Sequence, residues 1–313
     1  MQSSDWTPAF EQPDLLGESP FWHPLERLLY WVDIPGRKLL RGDPQDGRRE
    51  TWDMPSEPGC IAPVRGGGLV IALRDGIYRA QNWGGTLALL ARFPHDPALV
   101  RFNDGKCDSQ GRFWASTVYE PKDKRGADLW CLDMRGGKAE AMLKACNATT
   151  GNGMAWTPDE SGAFWSDTPR HRIHAWDYES ATGVLRRHRV FRQFPPKPEG
   201  WTSAEAGARP YGGRPDGAAM DSAGRYHCAM FEGSRLLRID ADGVGESSLA
   251  LPAVCPTMPC FGGEDLRTLF VTTSREKRPP EELQRTPLAG RVLQARVEVA
   301  GLPVNFFDPG PGG

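Results

Sequence analysis

DSQGRFWASTVY, residues 108–119, joins a polar turn (Asp108 to Gly111) to a run of aromatic, small and β-branched residues, and that pairing of turn with strand governs the reading of the whole chain. The pattern returns at HPLERLLYWVDI (23–34), VRGGGLVIALRD (64–75), TPDESGAFWSDT (157–168), DSAGRYHCAMFE (221–232) and GGEDLRTLFVTT (262–273). Short second strands follow: GRKLLRGD from 36, DGIYRAQN from 75, GADLWCLD from 126, HRIHAWDY from 171, GSRLLRID from 233 and GRVLQARV from 290. Runs before the turn (IAPV, NGMAW, DGAAM) and beyond the hairpin (LALLARF, EAMLKA, RRHRVFR) bring the unit to four strands, which is a propeller blade. Gly36, Gly76 and Gly126, each opening a third strand, stand 40 and 50 residues apart, a blade spacing. Six units predict an all-β fold, a six-bladed β-propeller with four antiparallel strands per blade, as one domain over 1–313. The sixth unit lacks a fourth strand while WTPAFEQ (6–12) is left over, so the N-terminal strand is expected to close the ring. PPKPEGWTSAEAGARPYGG, the inserted loop at 195–213, breaks the repeat and is either a cover over a site or a surface excursion.

Composition agrees with many short strands and tight turns: the 313 residues include 36 Gly, 28 Pro and 11 Trp, and no helix-period segment of useful length is present. With 39% hydrophobic and 25% charged residues the chain can bury a sizeable core. A formal charge of −2 and no lysine-rich run exclude nucleic acid as an expected partner. No apolar run is long enough for a membrane, and Met1 to Phe10 has no signal character, so a cytoplasmic protein is expected. Seven scattered cysteines read as buried reduced thiols, and Cys255 and Cys260 lack the partners of a zinc site. Trp114, Trp156 and Trp165 read as inter-blade packing on inner strands.

The innermost strand of every blade lines the central channel, so residues at one phase of the repeat converge there whatever their separation in sequence. At its start the six units present Glu18, Cys60, Asn103, Asn152, Asp216 and Met258. Two carboxylates and an amide can hold one hard divalent cation with room left for water and substrate. The competing reading is punctuation, because Asp104-Gly105, Asn152-Gly153 and Asp216-Gly217 all favour tight turns. Glu18 argues against it: glutamate is no turn residue, and a charge beside Phe21 and Trp22 needs a partner.

LGESPFWHP, RFNDGKCDSQGRFWAST, GNGMAW, RPDGAAMDSAGRYHCA and CFGGEDLRTLFVTT closely resemble the gluconolactonase, regucalcin and senescence-marker-protein family, over Leu16 to Leu302. The resemblance implies a hydrolase of small-molecule sugar lactones whose one divalent ion (Ca, Zn, Mn, Fe or Mg, not distinguished) is bound by Glu18, Asn152 and Asp216. It further implies Asp216 as catalytic base and Arg101, Asn103 and Glu120 as substrate-binding residues. The flanks of Glu120 and the insertion before Asp216 depart from the family pattern. Non-catalytic calcium binding and promiscuous ester or phosphotriester hydrolysis are the rival functions. Arg101 and Asn103 favour the lactone, since a calcium buffer has no use for sugar-hydroxyl donors and acceptors beside its ion. The six histidines are too dispersed for a triad.

Overall fold

The computed structural model describes residues 5–205, 207 and 209–311. Six four-stranded antiparallel sheets form the blades of a propeller. Blade one is built from Gly17–His23, Leu28–Asp33, Lys38–Gly42 and Arg49–Asp53, from the axis outward. Inner strands Cys60–Pro63, Val100–Cys107, Gly151–Trp156, Arg214–Met220 and Pro256–Gly262 open blades two to six. Each inner strand packs on the next, and the sixth on the first. As expected, the N-terminus closes the ring: Thr7–Pro8 pairs with Leu293–Gln294 as the outermost strand of blade six.

Burial falls off radially. Gly17–His23 and Pro256–Gly262 are buried along their whole length, while the outer strand Arg49–Asp53 is largely exposed. Blades touch face to face through clusters that mix neighbours, such as Trp114, Leu129 and Cys131 of blade three with Met154, Trp156 and Trp165 of blade four. Trp114 and Trp156 meet edge to face at 5.8 Å. Only Trp156 lies on an inner strand, however; Trp114 and Trp165 are on second strands, so the packing layer sits one strand further out than the sequence suggested. All seven cysteines are free and six are buried. The longest helix among the described residues, Pro280–Arg285, has six, and no helix is long and apolar enough to cross a membrane.

The opening sequence explains the blade hairpins. Asp108 Oδ1 accepts the amides of Gln110 and Arg112, both at 3.0 Å, closing the turn, while Oδ2 accepts Trp114 Nε1 at 2.7 Å and Tyr178 OH at 2.9 Å. Arg112, with no solvent exposure, sits 2.6 Å from the same oxygen. Asp221 repeats the device in blade five, accepting Ala223 and Arg225 amides and the His227 ring at 3.0 Å. Its arginine is different: Arg225 is 29% exposed. Asp108→Ala, which strands a fully buried guanidinium, is therefore expected to destabilise by about 3–5 kcal/mol, and Asp221→Ala by clearly less, in denaturant unfolding. Equal costs would refute the burial argument.

Candidate active site

Five of the six inner strands break register with their neighbour where the channel residues stand: between Glu18 and Phe21, Phe102 and Gly105, Asn152 and Ala155, Pro215 and Ala218, and Pro256 and Pro259. A bulge adds a residue and re-aims side chains, here at the channel. The Asp-Gly and Asn-Gly pairs are therefore not turns. They lie inside strands, and in two of the bulges a left-handed residue absorbs the kink: Gly153 has φ +64°, and Ser19, beside Glu18, has φ +50°. A non-glycine residue in that region is strained. Ser19 is held there by Ile61, whose amide donates to Ser19 Oγ at 3.0 Å. Blade two has no such bulge, and Cys60 contributes only a buried thiol.

The bulges bring the expected residues into one row. Arg101 Nη1 donates to Asn103 Oδ1 at 2.9 Å, Asn103 Nδ2 to Asn152 Oδ1 at 2.8 Å, and Asn152 Nδ2 to Thr168 Oγ1 at 2.7 Å. Arg101 Nη1 also donates to the Phe102 carbonyl at 2.9 Å. Glu120 stands 3.4 Å from Arg101 Nε and 2.8 Å from Arg74 Nη1, so it buttresses that end of the row. Burial would raise the Glu120 carboxyl, but the Arg74 hydrogen bond and charge outweigh it and hold the group below the usual range.

Glu18 and Asp216 are 5% and 7% exposed and feel one another's charge. Burial, then Asp216 and Asp104, push Glu18 well above the carboxylate range, and burial followed by Asp104 pushes Asp216 up to about 8. Asp104, read from the sequence only as half of a turn pair, is thus the third carboxylate. It is 2% exposed, accepts the Met154 amide through Oδ2 at 3.3 Å, and leaves Oδ1 buried without a hydrogen-bond partner. Burial raises its pKa as well, against the charge of Lys106. Its signal was available: it shares the RFNDGK phase with Asn103, and a bulge exposes both neighbours.

The donor set of Glu18, Asn152 and Asp216 fits a divalent ion, on the observation that burial raises the pKa of both its carboxyls and that the neighbouring Asp104 keeps a buried oxygen without a partner. Among the described residues, no three His, Cys, Asp or Glu side chains cluster as a metal site by themselves; the amide of Asn152 would be the third ligand of this set.

The loop at 195–213 is tied to the rim beside this row. Tyr211 OH and His171 Nε2 are hydrogen-bonded at 2.6 Å, Lys197 reaches Glu232 at 2.8 Å, and the buried Trp201 donates to the Arg209 carbonyl at 2.8 Å. Glu232 also holds Arg214 at 3.1 Å and Arg278 at 2.9 Å. This makes the insertion a fastened wall of the mouth.

A closed six-bladed propeller with acidic and amide side chains converging on one end of its channel defines the class. Residues 16–275 match the model of the SMP-30/gluconolactonase/LRE-like region, and the chain belongs to that family. It is 42% identical over 296 residues to a 6-deoxy-6-sulfogluconolactonase of Pseudomonas putida, covering 95% of this chain and 96% of the relative. It is 33% identical to a pentonolactonase of Haloferax volcanii, covering 83% and 81%. The crystal structure of a calcium-binding protein, regucalcin, from Agrobacterium tumefaciens superposes with a TM-score of 0.86 at 23% identity, over 96% of both chains, a likeness of fold.

Protein freed of metal by a chelator tests the crowding of carboxylates. Glu18, Asp104 and Asp216 have folded pKa values above their unfolded ones, so the stability they contribute is present at low pH and is lost as pH rises, through about 8 for Asp216. Asp104→Asn removes one charge and keeps an acceptor for Met154. The melting temperature is expected to rise by about 2–4 °C per kcal/mol relieved at pH 8.5, with the gain shrinking toward zero at pH 4. A pH-independent change would assign the effect to packing.

Proposed function

We propose that this chain is a metal-dependent lactonase that opens an aldonolactone to the aldonic acid. The observation that carries the reading is the hydrogen-bonded row Arg101, Asn103, Asn152 and Thr168 in a channel that also holds two desolvated carboxylates, Glu18 feeling the charge of Arg101. It aligns donors and acceptors suited to sugar hydroxyls with an anionic pocket suited to a hard cation. The lactonase names of the two relatives support it.

A divalent ion held by Glu18, Asn152 and Asp216 supplies Lewis acidity toward the lactone carbonyl. Asp216 takes the proton of the attacking water; the new carbon–oxygen bond forms as the ring ester bond breaks, and the proton passes to the departing ring oxygen. Burial and Asp104 push Asp216 up to about 8 even against the charges of Arg214 and Lys122, so a divalent cation in the set would lower it further and favour the basic form at neutral pH. Asn103 and Arg101 grip hydroxyls, and Glu120 orients Arg101. Thr168 fixes the amide of Asn152 with its oxygen toward Asn103.

The mouth also favours a lactone with an anionic far end. Lys122 makes no ion pair among the described residues; desolvation and then the charges of Arg214, Arg101 and Lys277 lower its pKa, with Asp216 the attractive neighbour. Arg214, Arg101 and Lys277 are paired with Glu232, Glu120 and Glu276, which leaves the Lys122 ammonium to meet a sulfonate or phosphate substituent, and the Pseudomonas putida relative is named for a sulfonated lactone.

Acid release from neutral and 6-sulfonated aldonolactones, followed before and after chelation and with each metal restored, tests the reading. Turnover above the spontaneous rate, lost on chelation and in Asp216→Asn, is expected; no catalysed turnover, or turnover indifferent to chelation, defeats it. Lys122→Ala should raise KM for the sulfonated lactone about tenfold more than for the neutral one, a factor of ten being about 1.4 kcal/mol. An equal effect on both would remove Lys122 from the recognition of charge.

A further inference from the structure

The channel has a second end. Turns between inner and second strands, which carry Ser109, Thr157 and Glu160, lie at the face opposite the mouth, because each inner strand starts at the mouth and runs away from it. A cavity of about 260 Å³ occupies that end. The C-terminal segment closes it: the Leu302 amide donates to the Met220 carbonyl at 3.1 Å, Asn305 Nδ2 to the Cys107 carbonyl at 3.2 Å, and the Phe307 amide to the Pro63 carbonyl at 2.8 Å, so the segment crosses from blade five to blades three and two. The wall is apolar, with Phe21, Trp22, Trp156, Met258, Leu302 and Val304. None of Glu18, Asn152, Asp216 or Arg101 lines it.

Two polar groups in this wall are under-used. Lys106 lines the cavity with its ammonium donating to the Ala218 carbonyl, yet no carboxylate lies within ion-pairing distance of it among the described residues. Asp104 and Glu18 act on it only from beyond ion-pairing distance, and a desolvated ammonium with one hydrogen bond of three and no close counter-ion is costly. Trp156, 9% exposed, has a buried indole N–H with no acceptor, where a buried indole ordinarily finds one. Glu160 lies at the outer rim and is engaged by the Ser180 hydroxyl, so the cavity runs from an acidic edge to a cationic floor.

We propose that this cavity is a second ligand site, for a small amphipathic carboxylate whose apolar body packs against Trp22, Trp156 and Val304 and whose head meets Lys106. An apolar concave wall with a few convergent polar groups is the ordinary form of a small-molecule site, and the volume is near the lower end of such pockets, roughly 300 Å³. The site stands apart from the lactone reading, since no residue assigned to lactone or metal lines it.

Octanoate is the probe and octanol its neutral counterpart, with tryptophan fluorescence and calorimetry on the full chain as readouts. Saturable one-to-one binding of octanoate, at least tenfold tighter than octanol, is expected. Lys106→Met should erase that preference. Val304→Trp, which fills the cavity from the closing segment, should abolish binding of both while circular dichroism and melting stay unchanged. No saturable binding, meaning a water-filled cavity only, overturns the proposal. So does equal binding of octanoate and octanol, or undiminished octanoate binding in Val304→Trp.

Discussion

Closing six blades into a ring forces the starts of six inner strands into one narrow, poorly solvated space, and what stands there cannot be chosen independently. Glu18, Asp104 and Asp216 come from blades one, three and five, far apart in sequence, yet Asp104 raises the pKa of both Glu18 and Asp216, and Asp216 that of Glu18. In water three carboxylates at such separations would scarcely notice one another; in a channel stripped of solvent they compete for protons or for a cation. The surrounding features answer that constraint. Lys106 offsets Asp104 from below, Asn152 replaces what would be a fourth charge with an amide, and Arg101 is kept on the mouth side by Glu120.

The bulges are the means by which a regular sheet delivers such a set. A strand with unbroken alternation sends successive side chains to opposite faces, toward the neighbouring blades. One extra residue turns a side chain along the channel instead. The left-handed Ser19 shows the expense: a strained backbone is retained because the Glu18 beside it has to face the axis, and Ile61 of the next blade pins it. Five of six blades carry the irregularity, and the one that does not, blade two, presents only the buried thiol of Cys60.

The fold was legible because its signal is repeated. Turn and strand recur six times, and even the closing strand at Thr7–Pro8 followed from counting what was left over. The convergence of Glu18, Asn103, Asn152 and Asp216 was legible for the same reason. What escaped was anything that depends on local backbone detail. Asp104-Gly105 has the composition of a turn, and nothing in composition separates a turn from a bulge inside a strand; only the register of Phe102 and Gly105 against the second strand does. Trp114 and Trp165 were placed one strand too far inward because periodicity identifies a packing layer without its radius. The insertion's role was open for a related reason: its ties run to His171, Glu232 and Glu282, which are distant in sequence and carry no motif.

The two ends of the channel divide the chemistry of one set of strands. Along Val100–Cys107 the polar residues Arg101, Asn103 and Asp104 come first, Lys106 follows, and Cys107 already lines the apolar end. Along Arg214–Met220, Asp216 faces the mouth and Met220 the cavity. The cavity begins at Ser19 and Gly105, the residues next to Glu18 and Asp104, so the two ends adjoin along the strands. Lys106 is the group that belongs to both halves. Its positive charge moderates the carboxylates above, and its lack of a close counter-ion leaves an unmet demand below. On the proposed reading of the mouth, the reaction uses the first half of these strands; of the second half, walled by tryptophan and methionine and shut by the C-terminal segment, Lys106 is the residue whose charge reaches back to it.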